Sequence, residues 1–388
     1  MAHRDTPNYN SPLGNAFPWR TIPPPLLWIN GEQFFPAILQ AIESAHTSIW
    51  IEIYLIQSGH LLDQFKSAWI AAVQRNVQVC ICCDHLGSKN FNKTDQKELL
   101  AAGVQLALYN PLNWRHPVRS LFRDHRKMLV IDQRLVFVGG AGISDDFSPE
   151  NSHRHWRETM LSLTGSIVQD WIVLFNSVWQ QFSPPLPATP SHEPPESPPD
   201  NTATTQARAR INCSDLLHPH GTSLPLLEAM RHTSHYIWIA TPYFLPPHRL
   251  RKALRQAAKR RVDVRLLIPG TFSDHPWLGL FSRTFYPGLL RAGVQIYEYQ
   301  PRFLHMKVML CDDWVSIGSS NLDRWGMFWN LEANQELHHP ETAKNVKSML
   351  EADFQVSEQI LNVRRSLRLQ LLRRLLQAAI RFMERLRR

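Results

Sequence analysis

The sequence predicts an α/β protein built from two internally repeated halves. Three observations predict it. "SIWIEIYLI" (48–56) recurs as "YIWIATPYF" (236–244), and "LLAAGVQLALYN" (99–110) recurs as "LLRAGVQIYEYQ" (289–300). The pattern His, any residue, Lys, any four residues, Asp occurs at 125–132 ("HRKMLVID") and again at 305–312 ("HMKVMLCD"). Between the repeats, residues 184–199 hold eight prolines mixed with Ser, Glu and Thr, a composition that packs as neither helix nor strand.

Taken in order, residues 1–26 form a polar, proline-rich segment without the character of a signal peptide. The first half is expected over 27–182. Its β-branched and aromatic strand at 48–56 leads through a helical stretch to a second strand, "VQVCICCD" (77–84). The five cysteines lack paired disulfide spacing, and "CICC" suits a buried strand better than a metal site, which points to a reducing compartment. Residues 111–124 approach the first motif through a long loop where the second half has only "PRFL". In "SIVQDWIVLFNSVWQQF" (166–182), Ile167, Trp171, Leu174, Phe175, Val178 and Trp179 recur on one helical face, as a core helix requires. A connector at 183–208 precedes the second half, 209–362, whose second strand is "VDVRLLIPG" (262–270). Alternating strand and helix predict a largely parallel or mixed sheet in each half.

Residues 363–388 predict a basic amphipathic helix. Nine of the chain's arginines fall at 364–388 against the single Glu384, so most of the net charge of +9 sits there and the remainder is near neutral at +1. Such a helix suits an anionic membrane surface, or else docks on protein. No apolar run reaches the roughly 18 residues of a membrane span, so the chain is expected to be peripheral.

Read as a strand, each motif puts its histidine and lysine on one face, His125 with Lys127 and His305 with Lys307, and its Asp on the other. Asp132 and Asp312 are therefore expected to serve a turn or ion pair rather than the chemistry. A further strand ends in glycine and small polar residues in each half, "LVFVGGAG" (135–142) and "WVSIGSSN" (314–321), where Ser319 and Asn321 share parity. Imidazole, ammonium and directed donors suit a phosphoryl oxygen. With two such sets, one neutral imidazole attacks phosphorus while the other manages the proton of the leaving and incoming groups. Two lysines supply the positive charge, so neither metal nor cofactor is called for.

These paired motifs resemble those of the phospholipase D superfamily. The likeness to bacterial cardiolipin synthases of the shorter B type covers about residues 26–345, through "FFPAILQAIESAHTSIWIEIY", "CDHLGS", "ATPYFLPPHRLRKALRQAAKRRVDVRLLIPG" and "LHMKVMLCDDWVSIGSSNLDRW". The resemblance implies two halves sharing one active-site cleft and a phosphatidyl-histidine intermediate. It implies His125 as nucleophile and His305 as acid and base, with Lys127, Lys307, Ser319 and Asn321 on the phosphate. It also implies a carboxylate behind each motif that orients an imidazole, here Glu332 and Glu158. Arg283, in the apolar stretch 275–290, is matched to a headgroup contact; Trp277, Leu278, Phe281 and Phe285 there suit lipid or core alike. One departure stands out: Gly142 replaces the family Asn of the first glycine turn, with a backbone N–H or Ser144 as its substitute.

The implied activity is transfer of phosphatidyl from phosphatidylglycerol to the hydroxyl of another phospholipid, at the cytoplasmic face of the bacterial inner membrane. Anionic phospholipids and the membrane surface are the expected partners, with phosphatidylethanolamine as a further co-substrate. Hydrolysis as a phospholipase D is the first alternative. A nuclease needs a basic cleft, so nucleic acid is not expected, and a non-catalytic tether has only Gly142 in its favour.

Overall fold

The computed structural model describes residues 17–362 except 116, 151–154, 185, 187–205, 216–217, 219–220 and 324–328. The predicted basic helix at 363–388 lies outside the described residues. In chain order the first half runs β1 (Arg20–Ile22), β2 (Leu26–Ile29), α1 (Gly31–Glu43), β3 (Ser48–Ile53), α2 (His60–Gln74), β4 (Gln78–Asp84), α3 (Lys93–Ala101), β5 (Gln105–Tyr109), β6 (Arg123–Asp124), β7 (Lys127–Ile131), β8 (Leu135–Gly139), β9 (Thr159–Thr164) and α4 (Ile167–Trp179). The second runs β10 (Ala207–Ser214), α5 (Ser223–His232), β11 (Tyr236–Ala240), β12 (Phe244–Leu245), α6 (His248–Lys259), β13 (Asp263–Pro269), α7 (Pro276–Arg283), α8 (Tyr286–Leu290), β14 (Gln295–Tyr299), β15 (Val308–Cys311), β16 (Trp314–Gly318), β17 (Leu322–Asp323), β18 (Asn330–His338), α9 (Pro340–Gln355) and β19 (Ser357–Gln359).

Both sheets are mixed and share one strand order. The first is β2-β9-β8-β7-β3-β4-β5, and the second contains β10-β18-β16-β15-β11-β13-β14. In each, three strands are parallel (β3-β4-β5 and β11-β13-β14) and the motif strand pairs antiparallel with the first of them. All six residues of β3 are buried because both of its faces are covered. Ile49, Ile51 and Ile53 pack in the cluster that holds residues of α1 and α2, and Trp50 packs with α4, its ring 6.0 Å from that of Phe175. The chain thus forms helices, sheet, a shared layer with α4 and α9, sheet, and helices again. Ile167, Trp171, Leu174, Phe175, Val178 and Trp179 all lie in that shared layer, against Ile211, Val315 and Leu331 of the other half.

Two boundaries differ from the sequence expectation. Residues 17–26 are not a separate polar segment, because Phe17 and Ile22 are buried and β1 pairs antiparallel with β10. Arg20 fixes this crossing with an ion pair to Asp170 of α4 at 2.8 Å. The second half begins at Ala207, where β10 joins β18. Cys80, Cys82 and Cys83 lie in the buried β4, and burial pushes the thiols of Cys80 and Cys83 up to about 12.

Candidate active site

The motif strands begin later than the alternation predicts, at Lys127 and Val308. Each histidine sits just ahead of its motif strand, and the other half holds its backbone. The His125 N–H donates to Leu331 O at 2.9 Å, where β6 pairs with the start of β18. The His305 N–H donates to Arg157 O at 2.9 Å. Arg157 in turn ties Asn30 to Asp353 of α9, with bonds of 3.0 Å and 2.9 Å. At the far end of each motif strand, Asp132 and Asp312 adopt a φ of 49° and turn back. Asp132 accepts the N–H groups of His46, Thr47 and Ser48, and Asp312 those of Ser234, His235 and Tyr236. Both aspartates tie the end of the motif strand to the start of its neighbour, away from the histidines.

The carboxylates are exchanged between halves. Nδ1 of His125 lies 3.0 Å from Glu332, and Nδ1 of His305 lies 2.5 Å from Glu158. This bond places the proton on Nδ1 and leaves the Nε2 lone pair for chemistry. Glu332 also accepts the Ser319 hydroxyl and, at 3.1 Å, the Asn330 amide. Glu158 has a backbone donor instead, the Thr159 N–H at 2.9 Å. Gly140 stands at the position of Ser319 because the carboxylate fills that space. A Cβ there would come within 2.3 Å of Glu158 Oε2.

The lysines complete one buried cluster. Lys127 Nζ donates to His125 O at 2.6 Å and lies 5.2 Å from the Tyr54 ring centre. Lys307 Nζ lies 2.9 Å from His305 Nδ1 and 3.2 Å from Nε2. Burial pushes the His305 imidazole down to about 3; Lys307 adds to the fall and Glu158 opposes it. Burial likewise lowers His125 against the pull of Glu332, and lowers Lys127 to about 7. Burial raises the two glutamates, but the cations around them outweigh it and hold both below the usual carboxylate value. Two lysines and two imidazoles, all lowered by burial, converge here, and an added anion would favour the charged form of each.

The remaining expected site residues divide. Asn321 is buried, and its carboxamide oxygen lacks a hydrogen-bond partner. Ser319 holds Glu332, so in this structure its hydroxyl orients the carboxylate. Ser144 does not replace the family Asn, because its hydroxyl is committed to Asp146 at 3.0 Å and Gln57 at 3.2 Å in a one-turn 3-10 helix. At Gly142 a Cβ would stand 2.9 Å from both Cβ and O of Leu55, so Leu55 occupies the room an Asn would need. Arg283 forks onto Glu298, 3.0 and 2.7 Å away, rather than pointing free. The apolar stretch beside it splits, since Phe285 is core and Trp277 is 54% exposed.

Sequence reasoning missed the aromatic walls. Tyr54 lies edge-on to His125 at 4.8 Å, and Trp156 and Phe147 lie 5.0 and 5.4 Å from His305. Trp156 shares strand parity with Glu158, which was the available signal.

Known proteins resemble this chain in sequence and in fold. A family profile described as "Cardiolipin synthase, PLD-like domain" matches residues 38–179 and 226–354. Cardiolipin synthase A of Pseudomonas entomophila (strain L48) is 34% identical over 338 residues, covering 86% of this chain and 69% of that protein. A cardiolipin synthase of Geobacillus sp. (strain WCH70) is 32% identical over 345 residues, covering 84% and 64%. Among solved structures, phosphatidylserine synthase of Haemophilus influenzae Rd KW20 superposes with a TM-score of 0.67 at 13% identity, covering 95% of this chain and 96% of that one. Polyphosphate kinase from Porphyromonas gingivalis gives 0.57 at 15% identity, over 92% and 56%. These two likenesses speak to the fold alone.

Proposed function

We propose a reaction course from the premise that this chain belongs to the cardiolipin synthase family with phospholipase D-like domains and is a phosphatidyltransferase. The donor in this proposal is phosphatidylglycerol. Nε2 of His125 attacks phosphorus, the P–O bond to the headgroup glycerol breaks, and His305 gives the leaving alkoxide a proton. The product of this half is phosphatidyl-His125 and free glycerol. His305 then takes the hydroxyl proton of a second phosphatidylglycerol, whose oxygen attacks phosphorus. Cardiolipin forms and His125 is restored. Lys127, Lys307 and Asn321 hold the non-bridging oxygens.

The single observation that carries this course is the buried cluster in which each imidazole bonds the other half's glutamate beside two lysines. A phosphodiester anion entering the cluster offsets the lysine charge and raises both imidazoles, which supplies the proton His305 needs. The reverse assignment, His305 as nucleophile, has one observation in its favour. Its imidazole is pushed to about 3, so it rests neutral.

The proposal extends to how lipid arrives. No helix among the described residues is long and apolar enough to cross a membrane. Two pairs of exposed apolar side chains lie on elements that lead to the site: Trp114, 85% exposed, with Leu112 on the loop before β6, and Trp277 with Leu280 on α7. An aromatic series links α7 to the site, with ring centres 5.8 Å apart from His305 to Phe303, then 6.4 Å to Tyr243, 6.0 Å to His275 and 6.0 Å to Trp277. Apolar tips of this kind support peripheral docking on an anionic bilayer, assigned here to the cytoplasmic face.

The test is mass spectrometry of lipids after incubation with phosphatidylglycerol vesicles, with acid-quenched protein mapped for the phosphatidyl adduct. Cardiolipin with the adduct on His125, and neither with His125→Ala, is expected. Phosphatidic acid in place of cardiolipin would make the enzyme a hydrolase, and an adduct on His305 would reverse the assignment.

A further inference from the structure

We propose that the hollow between α5 and α6 is a second, non-catalytic site for a hydroxyl-bearing phosphate group, carried on a lipid headgroup or free in solution. It is a cavity of about 580 Å³, and neither His–Lys pair lines it. Its walls carry Arg210, Arg231, Arg249, Lys252 and Arg260 against one carboxylate, Glu228.

Three of these cations are already engaged. Arg210 pairs with Glu336 at 2.8 Å, Arg231 pairs with Glu228 at 2.9 Å, and Arg260 donates to the carbonyl of Met230 at 2.8 Å. Arg249 and Lys252 have no carboxylate partner among the described residues. They stand three residues apart on one face of α6, where like charges repel unless an anion lies between them. The helix they belong to is the most basic stretch of the described chain. Residues 248–261 hold seven Lys and Arg and no Asp or Glu.

A second observation is independent of charge. Asn212 of β10 lines the same cavity, is 1% exposed, and its carboxamide oxygen has no hydrogen-bond partner. A buried acceptor left unpaired is costly. A phosphate satisfies Arg249 and Lys252 through its oxygens, and a hydroxyl on it, or on the glycerol it carries, donates to Asn212.

The test uses the full chain at low ionic strength, where screening is weakest. Glycerol phosphate and inorganic phosphate are titrated calorimetrically, and vesicles of phosphatidylglycerol or phosphatidylcholine are tested by flotation. Wild type is compared with Arg249→Gln/Lys252→Gln, whose two exposed side chains leave the core intact, and with Lys307→Met, which disables the catalytic cluster. One saturable component is expected that survives Lys307→Met and weakens at least about tenfold in the double variant. Turnover of a short-chain soluble phosphodiester stays unchanged in that double variant. If the lost component is seen with glycerol phosphate or inorganic phosphate, the ligand is a free phosphate; if only with phosphatidylglycerol vesicles, it is a headgroup. A component that the double variant retains, or that Lys307→Met removes, overturns the proposal, as does the lack of any saturable component with all three phosphate probes.

Discussion

The helix pair outside the first sheet and the pair outside the second descend from one pattern and now differ in what fills them. Aligning the halves through Trp50 and Trp238 places Phe35, Ile38 and Ile42 of α1 on Ser223, Leu226 and Met230 of α5, all buried. Aligning through the neighbouring strands places Phe65, Trp69 and Ala72 of α2 on Leu250, Leu254 and Ala257 of α6, again all buried. In the first half the rings of Phe35, Phe65 and Trp69 touch in series, 5.9 and 5.5 Å apart, and close the space. In the second half Ser223, Leu250 and Leu254 are buried at those places, and a cation-lined cavity lies against α5 and α6. The histidines, lysines and glutamates of the catalytic cluster stayed matched, while Ser319 and Asn321 correspond to Gly140 and Gly142. The outer layer was free to change because it only has to keep each sheet covered.

The sharpest way to break the correspondence is at the glutamates. Glu332→Gln and Glu158→Gln leave the shape intact but remove the charge that holds each imidazole. Each should lower turnover about 10²–10⁴-fold. If one variant is near wild type, the halves are unequal in chemistry as well as in packing. Phe65→Ala comes next. It opens a cavity inside a filled pair, so chemical denaturation should show a loss of about 3–5 kcal/mol. Leu250→Ala removes a smaller buried side chain at the matching place and should cost less, about 2 kcal/mol.

Acid tests the two imidazoles. Because His305 in the folded chain sits near 3, below its ordinary 6.5, the unfolded chain binds the proton first. Its contribution to stability is complete above about pH 6.5 and is lost as pH falls from there toward 3. Thermal melts of the ligand-free protein should follow that slope, and His305→Gln should flatten it. The smallest effect is expected from Ser319→Gly, which copies Gly140 into the second half. Losing one hydrogen bond to Glu332 should slow turnover about three- to tenfold. A drop as large as that of Glu332→Gln would mean the hydroxyl touches the phosphate itself.

Several features were legible because they depend on short-range periodicity. The paired strands, the buried face of 166–182 and the separation of each motif's lysine from its Asp are fixed within a few residues. Net charge was a poorer guide. A remainder near +1 concealed the seven cations at 248–261, since summing over a body cancels what one helix face concentrates. Ser144 looked like a substitute donor from its distance along the chain, but its turn directs the hydroxyl onto Asp146.

By itself the sequence determined that the paired histidine and lysine occur twice and that one strand plan was used twice, while the two glutamates followed from the family resemblance. Repetition and residue chemistry are local properties, readable without knowing what lies across the molecule. Only the tertiary structure decided that the partners are exchanged. His125 bonds Glu332, 207 residues away, and His305 bonds Glu158, 147 residues away. Stacking the two sheets on the shared layer of α4 and α9 brings the first motif beside β18 and the second beside the residues that lead into β9. A contact made across that layer leaves no trace in the spacing of either half.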